Sequence, residues 1–160
     1  MKRSWIKRGK GIGIKRSKMP LKRSKLAKTK KVLISRLQRQ IWELCKQIIR
    51  KRYGNMCYTC GQKGLTGSNW HTSHFIPKAA CGAFLKYDLR NLRPSCYHCN
   101  INLGGNGAEY YRKMVEEIGQ EKVDELFRDK QVMVKAYDHY LMILNQYKKI
   151  YESLYSNNKE

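Results

Sequence analysis
The sequence predicts an α+β fold: a small cysteine-rich core flanked by long α-helices, with a disordered basic arm in front. Three observations carry this. Apolar residues recur at helical spacing on both sides of residues 55–106. Within that stretch stand two Cys-x-x-Cys pairs and two short alternating runs. The first 28 residues are too charged to bury a core. A length of 160 residues suits one compact domain with extensions.

The arm spans residues 1–28. Residues 1–31 hold fourteen Lys or Arg and no acid, and the first acid is Glu43. The whole chain carries a formal net charge of +22, of which the part after residue 31 accounts for only +8. A run such as Lys22-Arg23-Ser24-Lys25 repels itself, so the arm suits non-specific phosphate contact with counterion release. A ribosomal or localisation tail has the same composition. The excess of positive charge points to a polyanion, and nucleic acid is the commonest one. No apolar run approaches the roughly 18–20 residues of a membrane span. No hydrophobic segment follows the N-terminal charges, which argues against a secretory signal and for a reducing compartment.

Residues 29–54 read as a helix. Ile34, Leu37, Ile41, Leu44 and Ile48 step by three and four, and the pattern ends near Tyr53-Gly54. Residues 107–160 are helical again. Glu109 to Ile118 forms one helix with Gly119 as its stop, and Glu121 to Phe127 forms another. Met133, Tyr137, Tyr140, Leu144, Tyr147, Tyr151 and Leu154 then make an a/d seam. At helical spacing this tyrosine stripe reads as core rather than as a base-stacking platform. The two seams can pack on each other, or on a second copy of the chain as a homodimer.

Residues 55–106 form the core. Cys57-Tyr-Thr-Cys60 and Cys96-Tyr-His-Cys99 are separated by 35 residues. Four thiolates in two such turns suit one tetrahedral Zn²⁺ of structural type. Gly61 marks a knuckle after the first pair, and Ser95 is placed to cap a helix opening at Cys96. Knuckle, hairpin and helix make a treble-clef layout. An insert this small has little core of its own, so zinc contributes folding energy. Cys45 and Cys81 have no partner at ligand spacing and read as free thiols. His98 reads as exposed or beside the zinc, and His139 as a helix surface residue.

Between the knuckles lie Trp70 to Pro77 and Leu89 to Arg93, two alternating runs that fit a hairpin. His74 ends the first strand, Asn91 stands on or just before the second, and Asn100 follows the last cysteine. With zinc tying the strand ends to the helix start, these three are expected to converge. A neutral His can take a proton from water. An amide oxygen can ligate a hard cation such as Mg²⁺ or Mn²⁺, which stabilises charge on a phosphodiester undergoing hydrolysis. Arg90, Arg93 and Arg112 flank this region and are candidates to clamp DNA phosphates.

His74, Asn91 and Asn100 around two Cys-x-x-Cys pairs resemble the HNH (ββα-metal) endonucleases, and Cys96-x-x-Cys99-Asn100 resembles the endonuclease VII type. A longer series is similar to the phage NinG (Rap) recombination proteins. It runs through Ser73-His74-Phe75, Tyr87-Asp88-Leu89-Arg90-Asn91, Cys96 to Asn100, Leu103-Gly104-Gly105-Asn106, Tyr111-Arg112 and Ile118 to Val123. It covers about residues 55–127. The resemblance implies a nuclease acting on branched DNA during phage recombination, in the cytoplasm of a bacterial host. It implies His74 as general base, Asn91 as the Asn orienting that His or its loop, and Asn100 as a ligand of the catalytic metal. It also implies Cys57, Cys60, Cys96 and Cys99 around structural zinc. Many HNH enzymes carry an Asp just before the base. Here that position is Ser73, which leaves Asp88, His71 or water to complete the ligand set. The competing reading is a zinc-dependent nucleic-acid-binding module without catalysis. A ribosome-associated basic protein is a third.

Overall fold
The computed structural model describes residues 25–130, 132 and 137–156, and for residues 25–28 the backbone alone. Most of the expected arm, and Met133 of the expected seam, lie outside the described residues. The arm's last four residues are not arm: they open helix α1, Lys25–Tyr53. Leu37, Ile41, Cys45, Ile48 and Ile49 form its buried face, and Ile34 and Leu44 are partly buried beside it. Arg50, Lys51 and Arg52 occupy its last turn, where cations complement the helix dipole. Gly54, at φ +67°, stops it by donating its N–H to the Arg50 carbonyl at 2.8 Å.

The first knuckle follows, closed by the Cys57 N–H on the Gln62 carbonyl (2.8 Å) and the Gly61 N–H on the Cys57 carbonyl (3.0 Å). Strand β1, Trp70–His74, pairs antiparallel with β2, Leu92–Cys96. Trp70 lies opposite Cys96 and His74 opposite Leu92. One end of this two-stranded sheet is therefore at the cysteines, and His74 is at the other.

The element after β2 departs from expectation. No long helix opens at Cys96. The chain makes one π-helical turn, His98–Asn102, and passes three successive left-handed residues, Gly104, Gly105 and Asn106. Only then does α2 start, at Gly107–Ile118. Ser95 consequently caps nothing: its hydroxyl is buried against the Cys96 carbonyl (3.4 Å) and Cys57 Sγ (3.9 Å). Gly119, at φ +85°, separates α2 from α3, Gln120–Asp129, and α4 spans Tyr137–Ser156.

Three apolar clusters result. The largest joins α1 to α4 through Leu37, Ile41, Ile48, Tyr140, Leu144 and Tyr147, and includes Leu92 of β2. The two helical seams thus close on each other within the chain, and the tyrosine stripe is largely core. A second cluster packs α2 and α3 under the 75–91 loop through Ile76, Leu85, Tyr110, Met114, Val123 and Leu126. The third is small: Cys57, Leu65, Cys96 and Cys99, with Trp70 against them. The architecture is mixed: four helices, a two-stranded sheet and a cysteine cluster among the described residues.

Candidate metal centre and cleft
The sulfurs of Cys57, Cys60, Cys96 and Cys99 all lie within 4.8 Å of one another, and those of Cys60 and Cys96 are 3.8 Å apart. A tetrahedron of sulfurs about 2.3 Å from zinc has edges of about 3.8 Å. The donor set and its spacing therefore fit a metal such as zinc. The knuckles supply polar hydrogens as well. The Cys99 N–H donates to Cys96 Sγ at 3.3 Å, and the Thr59 hydroxyl lies 3.4 Å from Cys57 Sγ. Burial pushes the Cys57 thiol up, but backbone N–H donors and Thr59 outweigh it and bring the group to about 6. Burial holds the Cys60 and Cys96 thiols above the usual range. A cation bound here would displace the protons that Cys60 and Cys96 keep.

The expected convergence of His74, Asn91 and Asn100 is not what the fold makes. Asn100, in the π-helical turn, sits at the cysteine end, where its Nδ2 is 3.4 Å from His71 Nδ1. His71 Nε2 is 2.9 Å from the Ser68 carbonyl, which can only accept, so Nε2 carries the proton and Nδ1 keeps its lone pair toward Asn100. Tyr97 flanks His71 with ring centroids 5.8 Å apart. Alternation along β1 puts His71 and Ser73 on one face and Trp70, Thr72 and His74 on the other. Ser73 is buried, its hydroxyl donating to the Arg93 carbonyl at 3.2 Å, and is no metal ligand.

Asn91 is fully buried in the turn before β2. Its Oδ1 accepts the Ile76 N–H at 2.7 Å, and its Nδ2 donates to the carbonyls of Ile76 and Leu85, each at 3.2 Å. Its amide is spent on both ends of the 75–91 loop. It positions that loop and touches no ring nitrogen of His74.

His74 stands where α1, β1 and the 75–91 loop meet. Its Nε2 donates to the Lys86 carbonyl at 2.9 Å, leaving the Nδ1 lone pair free. Trp42 of α1 stacks on the ring, centroids 5.4 Å apart and planes within 5°. Burial lowers the His74 pKa from the usual 6.5; the Lys86 carbonyl opposes this, while the charges of Lys78 and Lys86 add to it. The imidazole opens on a cleft of about 390 Å³ whose walls include Gln38, Arg39 and Trp42 on one side and Lys78 and Lys86 on the other.

The other candidates are committed elsewhere. Asp88 caps the turn before β2 through the Arg90 N–H (2.8 Å) and binds the Arg90 guanidinium at 2.6 Å, so it is no ligand beside Asn100. Arg90 also reaches Asp129 at 2.8 Å. Arg93 is 3% exposed, paired with Glu117 at 2.9 Å, and its guanidinium lies over the rings of Tyr53 and Tyr58. It is a structural cation, not a DNA clamp. Arg112 is exposed but paired with Glu109 and Glu116 on its own helix. Sequence reasoning missed Arg39, Trp42, Lys78 and Lys86. Trp42 lies one residue past Ile41 of the apolar seam, a signal that the helix has a second occupied edge.

Among the described residues no helix is long and apolar enough to cross a membrane. The family model described as Bacteriophage Lambda NinG protein matches residues 3–157. Proteins named "Protein ninG" are similar in sequence. That of Escherichia phage 933W is 34% identical over 89 residues, 55% of this chain and 43% of its own. That of Escherichia phage lambda is 33% identical over 89 residues, 55% and 42% of the two chains. That of Salmonella phage P22 is 33% identical over 92 residues, 57% and 44%. The matched stretch spans less than half of each relative's length. No solved structure matches.

Proposed function
This chain belongs to the NinG family, and we propose that it is a metal-dependent endonuclease that hydrolyses phosphodiester bonds in branched DNA during phage recombination. The observation that carries this reading is the state of His74. Its proton is pinned on Nε2 by the Lys86 carbonyl, its ring is fixed against Trp42, and burial keeps it neutral. A neutral imidazole with one nitrogen left free, on the wall of a cationic cleft, is suited to take a proton from water, which then attacks phosphorus. Pure binding asks for none of this.

Cys57, Cys60, Cys96 and Cys99 hold structural zinc in this reading, and their spacing supports it. Asn100 and His71 would hold a second cation, the amide turning to present Oδ1 beside the His71 lone pair. Mg²⁺ accepts such an oxygen, and a His nitrogen favours Mn²⁺ or another transition ion more. When bound, that ion would stabilise negative charge on the phosphate and on the leaving oxygen. Asn91 holds the loop that carries the Lys86 carbonyl. Symmetric nicking of a junction asks for two copies. A dimer would need a surface other than the α1–α4 seam.

One observation favours the second reading, nucleic-acid binding without cleavage. His74 and the His71–Asn100 pair face opposite sides of β1, three residues apart, or about 10 Å along a strand. The test is cleavage of a labelled four-way junction and a matched duplex, with Mg²⁺, Mn²⁺ or EDTA. Wild type should cut the junction in metal, and His74→Ala should lose about 10²–10⁴-fold while still binding DNA. Tight binding with no cutting in any divalent metal would select the binding module.

A further inference from the structure
We propose that the cleft between α1 and the 75–91 loop is a phosphate-binding seat for the DNA strand, gripped by Arg39 from the helix and by Lys78 and Lys86 from the loop. The arginines and lysines near the sheet divide into paired and unpaired cations. Arg90, Arg93 and Arg112 are each bound to carboxylates. Among the described residues, no carboxylate partners Arg39, Lys78 or Lys86, yet all three line one cleft of about 390 Å³. Lys86 Nζ rests 5.0 Å from the Tyr87 ring, an interaction a phosphate can displace. The one acid in the lining, Glu43, is held by Lys46 at 2.8 Å. Three uncommitted positive charges facing each other across a gap repel unless an anion lies between them.

The neutral lining suits a phosphodiester too. Gln38 supplies hydrogen-bond donors on the α1 wall, and the ring of Trp42, stacked on His74, forms a flat floor. Arg39 offers a planar fork to a phosphate, and the two lysines offer point charges. The inference deepens the nuclease reading, since it gives His74 a substrate wall made by α1, a helix outside residues 55–127. Binding at the cleft does not require that cleavage occur.

The experiment uses the full chain loaded with zinc. Fluorescence anisotropy on a labelled four-way junction, at several salt concentrations, compares wild type with Arg39→Gln/Lys78→Gln/Lys86→Gln. A control removes the same charge from exposed helix positions, Lys122→Gln/Lys148→Gln/Lys149→Gln. The cleft variant should bind at least about 10-fold more weakly. Its slope of log affinity against log salt should fall by about 2–3, near 0.9 for each phosphate no longer neutralised. The control should change much less in both respects. Equal changes in both variants, or none in the cleft variant, would overturn the seat. A measurement on wild type alone guards against misfolding of the triple variant. Junction DNA should protect Lys78 and Lys86 from amine acylation while leaving Lys148 and Lys149 reactive; uniform reactivity would overturn the proposal. If the cleft variant loses binding but wild type never cuts, the nuclease reading fails and the seat stands.

Discussion

The α1–α4 seam and the cysteine cluster hold the same small sheet by different physics. The cluster around the seam buries eleven residues, nine of them on α1 and α4, among them Leu37, Ile41, Ile48, Ile49, Tyr140 and Leu144. Transfer of such side chains from water contributes about 1.5–3 kcal/mol each, which holds the two helices together without any metal. The cysteine cluster buries only three sulfurs and Leu65 with Trp70 beside them. It has almost no apolar volume, so its shape depends on what the sulfurs bind. Trp70 touches both regions, and its indole N–H donates to the Gly54 carbonyl at 3.2 Å. The helical half can thus outlast the metal half, and Trp70 reports on the joint between them.

Four experiments probe whether the two halves stand independently. The largest effect belongs to the metal: structural zinc in small domains contributes on the order of 10 kcal/mol. Chelation, or Cys96→Ser, should shift tryptophan emission to the red while circular dichroism at 222 nm keeps most of its helical signal. Simultaneous loss of both would show one cooperative unit instead of two. Next comes Ile41→Ala, which leaves a cavity in the seam at a cost of about 2–5 kcal/mol. In urea melts the helical transition should move while zinc content stays at wild-type stoichiometry; release of zinc from the folded variant would break the division.

A smaller effect is His74, beside the seam. Its folded pKa is below the ordinary 6.5, so the unfolded chain binds more protons between the two values. This contribution to stability is therefore present above pH 6.5 and is lost as pH falls from there through the folded value. His74→Gln should flatten the stability profile in that window, and an unchanged slope would mean the ring is solvated. The same shift keeps the base neutral to lower pH, so the acid limb of any cleavage profile should lie below 6.5. Smallest of all is Arg112→Ala. Its partners are exposed neighbours on α2, and the change should leave the thermal melt almost unmoved. A large drop in the melting temperature would mean that α2's surface belongs to the structural frame.

The helices and the cysteine set were legible because each rests on local spacing. Periods of three and four residues gave α1 and α4, and two Cys-x-x-Cys turns gave a cysteine cluster that could hold a metal. The roles of the arginines were not, since what decides them is distant in sequence. Arg93 meets Glu117 twenty-four residues away, and Arg90 meets Asp129 thirty-nine away. Nothing near Arg93 marks it as neutralised, whereas Asp88, two residues from Arg90, was a local sign that the sequence reading gave to a metal instead. The parting of His74 from Asn100 was half legible. Three steps on a strand reverse the face, so His71, not His74, looks toward whatever packs on the Ser73 side. That Asn100 would lie there depended on the π-helical turn after Cys96, where a regular helix was expected. Trp42 and Lys86 came to His74 only through tertiary packing.

Packing α1 against α4 also has a consequence in time. The partners across the seam, such as Ile41 and Tyr140, are roughly 100 residues apart in the chain. At a ribosomal pace of about 5–20 residues per second, α1 waits on the order of 5–20 seconds after its own synthesis before α4 exists. The cysteine turns, the hairpin and α2 all emerge in that interval. The nascent protein therefore passes through a stage in which the cysteine half has fully emerged while a long apolar stripe on α1 stands bare, and that stripe is where a chaperone, or another nascent chain, would find it.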